Sequence, residues 1–206
     1  MILIDDSGDR TILGFERPLI SVAFPDLDLN TLDAIYMSAE RTVSPDVAQT
    51  LADSQIPVVA ALGHAHQLTW CDIVVASDQN FDSYEGADWW GALSRRGIKT
   101  RWLVVTLDKR GVWATDGTTV LTMPASPAAH VVDTTGAGDA FAAGLVYATA
   151  RDWPIEAALA LGSQWGADAV SHLESGCPRG HKPNVGPGEA GVQITRTRSA
   201  ALGNLT

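Results

Sequence analysis

Two unbroken apolar runs of strand length, residues 56–62 (IPVVAAL) and 72–76 (DIVVA), constrain the architecture of this chain most. A strand with one wet face alternates polar and apolar side chains, whereas a strand covered on both faces does not. Residues 102–107 read as another strand, and 33–37 (DAIYM) as a short buried one. Helical signals lie between and after them. Ser44 followed by Pro45 caps and opens one helix. Residues 83–96 form a second, stopped by Gly97, and two more span 137–150 and 154–171. Residues 1–15 read as two strands around the turn 5–9, while 111–114 and 120–123 flank the hairpin signal Asp116-Gly117. Strands alternating with helices predict an α/β layered fold with a mainly parallel sheet. Residues 179–206, rich in Gly, Pro, Ser and Thr, read as a flexible tail.

With 206 residues, 46% of them hydrophobic, the chain has material for one domain with a core of its own. Its net charge of −10 argues against a nucleic-acid backbone or an anionic membrane as partner. It also means that any phosphate site must be built locally, from backbone dipoles and a few cations. The two cysteines, Cys71 and Cys177, are too few for a disulfide framework and read as ordinary thiols of a reducing compartment. No signal peptide is expected, and no apolar run approaches the ~20 residues that span a bilayer. A cytoplasmic location is the expectation.

The run 133–144 (DTTGAGDAFAAG) carries the chemistry. It is expected to leave a strand over residues 130–132, cross a turn of small residues and enter a helix. Such a turn aims unpaired N–H groups at one point, where the helix dipole also favours negative charge. Gly136, Ala137 and Gly138 would supply those amides as an anion hole. Asp139, in the first helical turn, cannot bind an anion of its own sign. It is placed instead to take a proton from a hydroxyl attacking phosphorus. An anion cradle beside a base is the outline of a small-molecule kinase.

The same twelve residues match, position by position, the C-terminal signature of the ribokinase-like (PfkB) family of sugar and nucleoside kinases, which the chain resembles over residues 1–178. The resemblance implies a three-layer α/β/α fold and transfer of the γ-phosphoryl group of ATP, with Mg²⁺, to a sugar hydroxyl. It makes Asp139 the catalytic base, and it places Asp133 and Thr135 near the phosphates as ligands of a monovalent cation, K⁺. Residues 104–111 (VVTLDKRG) resemble the family's V-T-L-G-x-x-G strand and loop, which implicates Thr106, Asp108 and Gly111 in nucleotide binding. Asp108 stands in place of a glycine. Asp is among the few residues that tolerate positive φ, but its charge beside phosphates needs Lys109, Arg110 or a metal to offset it.

The family's magnesium-organising N-x-x-E motif is absent. Ser77 and Asn80 stand where Asn and Glu are expected, and Asp78 is the nearest carboxylate. Some ketohexokinase-like members, the branch suggested here, depart in the same place. Residues 161–164 (LGSQ) match the adenine-pocket region and implicate Ser163, while 174–177 (ESGC) implicate Gly176 in the following nucleotide-side turn. The family's first strand and helix, its paired glycines, its sugar-gripping aspartate and most of its β-lid have no counterpart here. The chain therefore reads as an N-terminally truncated member, lacking the N-terminal strands. Sheet edges left unpaired predict self-association, with a homodimer as its simplest form.

Two other readings compete. One is a nucleotide-binding remnant without sugar-dependent turnover. The other, a dinucleotide-binding oxidoreductase, is disfavoured because no G-x-G-x-x-G follows an early strand. His64 and His66 read as a loop pair without a third metal ligand, and the seven tryptophans, the exposed-looking pair Trp89-Trp90 included, as packing residues.

Overall fold

The computed structural model describes residues 2–4, 10–12, 29–38, 43–68, 70–81, 88–172, 186 and 193–198. Within them, strands β1 (Ile2–Ile4) and β2 (Arg10–Ile12) pair antiparallel, Ile2 opposite Ile12. The main sheet has seven strands in chain order: β3 (Ile35–Met37), β4 (Val58–Ala61), β5 (Cys71–Ser77), β6 (Thr100–Thr106), β7 (Val112–Thr115), β8 (Thr119–Met123) and β9 (Thr195–Arg198). β3 to β6 are parallel, and β7, β8 and β9 extend the sheet antiparallel.

The apolar runs do what their lack of alternation implies. In β6, Trp102 and Val104 face one core while Leu103 and Val105 face the other. The core of Leu103 and Val105 lies under α1 (Pro45–Asp53), α2 (Leu62–Ala65) and α3 (Trp89–Arg95), that of Trp102 and Val104 under α4 (Ala137–Thr149) and α5 (Ile155–Ala169). Helices on both faces make three layers. Each large side chain so buried contributes about 1.5–3 kcal/mol.

Local signals set the boundaries. Ser44 Oγ accepts the Val47 N–H at 3.4 Å, with Pro45 in the first turn of α1. Asp88 Oδ1 accepts the Gly91 N–H at 2.7 Å, so α3 starts at Trp89; residues 82–87 of the expected longer helix lie outside the described residues. Trp89 is buried, not exposed, between the stacked ring of Phe81 and the edge-on ring of Trp113. Cys71 is fully buried, and burial pushes its thiol up to about 11, which makes it inert at neutral pH.

Two expectations need correction. Residues 130–132 form no strand: Val131 is 64% exposed, and the Val132 N–H donates to the Val170 carbonyl at 2.8 Å, just past the end of α5. A helix end, not a neighbouring strand, satisfies that backbone. The tail is not wholly without structure, because Thr195–Arg198 pair with β8, Val120 opposite Thr197, and Arg196 bonds Glu156 of α5. Alternating Thr and Arg suits an exposed edge, where charge deters further pairing.

Candidate active site at the start of α4

The four parallel strands end on one side of the sheet. β8 also ends there, since Met123 lies opposite Val112, the residue that opens β7 after β6. Residues 124–135 then lead from β8 to α4, anchored by the bonds of the Val132 and Asp133 N–H groups to the Val170 carbonyl. α4 packs on β3 and β4. Its start, the short turn after β5 (Asp78–Asn80) and the turn after β6 (Asp108–Arg110) therefore border one edge. From β6 to β4 is two strand spacings, about 10 Å, which is the scale of a triphosphate chain.

At the start of α4, Gly136 is left-handed with φ 82°, a conformation open to glycine at little cost. The Ala137 N–H closes on the Thr134 carbonyl at 3.3 Å, so it is partly spent on the turn. The Gly136 and Gly138 amides have no backbone partner among the described residues. A methyl group added at Gly138 would meet nothing within 4 Å, so open space lies beside this amide. Free amides, space and a helix dipole make a fit for one phosphoryl group. Asp139 follows in the first turn, exposed, and no ion pair engages its carboxylate among the described residues.

The helix is held there by close contact with α5. A methyl group on Gly144 would lie 2.7 Å from the Gly162 Cα, and one on Gly166 would lie 3.3 Å from the Ala137 carbonyl oxygen. Ser163, between those two α5 glycines, is 8% exposed, and its hydroxyl finds no partner among the described residues. A buried hydroxyl left unsatisfied is unusual, and a polar ligand edge would complete it.

Tyr36 on β3 was not singled out by sequence. Burial pushes its hydroxyl up to about 12, with the negative charge of Asp139 adding to the shift and the Ser38 side chain opposing it. The only signal available beforehand was a polar-tipped aromatic near the end of an otherwise apolar strand.

The other predicted residues take the following places in the fold. The Thr106 hydroxyl donates to the Ala76 carbonyl at 3.3 Å, which ties β6 to β5. Asp108 takes φ 54°, the positive angle its place in a glycine position implied. Gly111 takes φ 100°, and a side chain there would run into the backbone at Met123–Ala125, so the fold alone requires it. Asp133 Oδ1 accepts the Thr135 N–H at 2.8 Å, an Asx turn. Gly176 and Cys177 lie outside the described residues.

A protein-built magnesium site does not fit this arrangement. No three His, Cys, Asp or Glu residues converge among the described residues. Asp78, the one candidate carboxylate, is already bonded to Arg110 at 2.5 Å and accepts the Gln79 N–H at 2.9 Å. Ser77 and Asn80 are spent on each other's turn, in a reciprocal cap.

The pattern of the pfkB family of carbohydrate kinases matches residues 2–178. The chain belongs to that family. No curated protein sequence matches this pfkB chain. Its fold is that of ribokinase from Thermotoga maritima (TM-score 0.60, 19% identity, 84% of this chain and 63% of that one). The Arabidopsis thaliana ribokinase complexed with ribose and ATP aligns with TM-score 0.58 and 20% identity, over 69% of this chain and 51% of that one. A sugar kinase from Clostridium perfringens gives 0.54 and 16%, over 75% and 52%. The pfkB chain thus spans about half the length of the last two. Among its described residues no helix is long and apolar enough to cross a membrane.

Proposed function

We propose that this pfkB chain carries the phosphoryl-transfer machinery of an ATP-dependent carbohydrate kinase, with a sugar hydroxyl as acceptor. The observation that carries the reading is Asp139 in the first turn of α4, beside the free Gly138 amide and behind left-handed Gly136. In this reading the Gly136 and Gly138 amides hold the charge that develops on the transferred group. The Asp139 carboxylate takes the proton of the attacking hydroxyl, whose oxygen forms the new bond to phosphorus as the bond to ADP breaks. Ser163 meets the adenine side, where its orphan hydroxyl supports a polar contact. Magnesium, when bound, arrives on the nucleotide phosphates and neutralises part of their charge.

Amide-resolved NMR during titration with a non-hydrolysable Mg·ATP analogue tests the site. The reading expects the Gly136 and Gly138 signals to shift first and most. Shifts confined to other surfaces would remove the site from α4. A second reading, nucleotide binding without turnover, draws support from the negative charge of Asp108 in the nucleotide loop and from the missing metal-organising carboxylate. Binding without sugar-dependent ADP release would establish it.

A further inference from the structure

Residues 124–135 join β8 to α4 without regular structure and lead into the turn that carries the proposed anion site. Burial does not hold the stretch before that turn: residues 129–132 are exposed, Val131 by 64%. Hydrogen bonds to the end of α5 hold it instead. The last carbonyls of a helix have no donor within it, and that of Val170 takes two from this stretch, the Val132 N–H at 2.8 Å and the Asp133 N–H at 3.3 Å. The Ser171 hydroxyl then donates to the His130 carbonyl at 2.9 Å, across 41 residues of sequence. Its other acceptor, the Ala167 carbonyl one turn back, lies at 3.4 Å, so the single hydroxyl proton favours His130. From Asp133 onward the bonds are local. Asp133 Oδ1 accepts the Thr135 N–H at 2.8 Å, and the Thr134 carbonyl accepts the Ala137 N–H at 3.3 Å. A bonded path therefore runs from the end of α5 to the first residue of α4. Asp133 and Thr134 take part in further interactions, so Ser171 is one anchor among several.

We infer that Ser171 is a positioning residue for phosphoryl transfer, whose hydroxyl, by holding the His130 carbonyl, sets where the Gly136 and Gly138 amides stand relative to Asp139. This rests on the reaction proposed above and adds to it a residue outside the reacting groups. α4 is already seated on α5 by the close approach of Gly144 to Gly162 and of Ala137 to Gly166. With Ser171, the chain that enters the turn is fixed to the same helix as the chain that leaves it. Amides that stabilise developing charge act by standing in place before the reaction, and a displacement of about 1 Å can cost about 10²-fold in rate. The bond from Ser171 lies at the surface. It therefore adds little to the stability of the whole fold, and its effect falls on the turn.

The experiment compares the wild type, Ser171→Ala, Ser171→Thr and Val131→Gly in the full chain. One arm is amide-resolved NMR with hydrogen exchange, without ligand; the other is steady-state kinetics with Mg·ATP and D-ribose or D-fructose as acceptor. Ser171→Ala should speed exchange at the Val132 and Asp133 amides and shift the Gly136 and Gly138 signals. It should also lower kcat about tenfold, with the KM for ATP and the thermal midpoint little changed. Ser171→Thr, which keeps the hydroxyl, should restore the wild-type values. Val131→Gly, which loosens the same stretch without touching α5, should repeat the pattern of Ser171→Ala. Gly136 and Gly138 signals that stay in place in Ser171→Ala would make the hydroxyl a mere cap of α5 and overturn the inference. A lowered thermal midpoint with wild-type kcat would mark a strut and overturn it too. A wild type that phosphorylates neither sugar counts against the proposed reaction alone, because the NMR arm needs no ligand: there, shifted Gly136 and Gly138 signals support the positioning and unshifted ones overturn it.

Discussion

Asp139 and its neighbours divide the work of one helical turn by backbone conformation. Gly136 must be glycine because its φ is 82°, whereas Gly138 has ordinary helical geometry and open space beside it. Gly138→Ala is therefore expected to leave the thermal midpoint unchanged while a methyl group intrudes beside the free amide, weakening anion binding about tenfold. Equal loss of fold and binding would mean that Gly138 is merely structural. The charge of Asp139 can be read through Tyr36, whose hydroxyl stays protonated up to about pH 12. Its folded pKa lies above the unfolded value, so the stabilisation is complete below about pH 10 and is lost as pH rises toward 12. Asp139→Asn should lower the midpoint of Tyr36 ionisation, followed by tyrosinate absorbance against a Tyr36→Phe control. An unmoved midpoint would separate the two groups.

At the scale of elements, the small residues of α4 and α5 decide where the proposed anion site sits. Gly144 and Gly162 let the two helices touch backbone to backbone, so Gly144→Ala should cost about 1–3 kcal/mol in urea unfolding. It should also disturb the α4 start, because Ala137 leans on α5 at Gly166. A neutral Gly144→Ala would show that the contact is slack. Much of this was legible in the sequence, because apolar runs, caps and the glycine turn are local signals. The parallel strands, the Ser44–Pro45 start, the Asp116–Gly117 hairpin and the Asp108 positive φ follow from residues within a few positions of each other. What was not legible depends on distant partners. Residues 130–132 look like a strand but bond to the end of α5, and Arg110, one of three groups named as able to offset Asp108, reaches across to Asp78. β9 carries no hydrophobic pattern and is defined by the edge of β8 that it covers.

At the scale of the molecule, the two margins of the sheet differ. β9 presents Arg196 and Arg198, whereas β3 presents the apolar Ile35, Tyr36 and Met37, with no strand on its outer side among the described residues. Beside it an open groove of about 520 Å³ runs between β3 and α4, lined by Tyr36, Tyr147 and Trp165. Unprotected apolar edges recruit other strands. Sedimentation velocity should therefore show concentration-dependent association of this chain, reduced by Tyr36→Lys in the folded protein. A monomer at all concentrations would show that this edge is covered.

The central claim is that the start of α4 transfers a phosphoryl group with Asp139 as base. Sugar-dependent release of ADP from Mg·ATP, screened over ketoses, aldoses and nucleosides, tests it most directly. The account predicts turnover that Asp139→Asn lowers by about 10²–10⁴-fold with ATP affinity retained. Turnover that survives the substitution would contradict it.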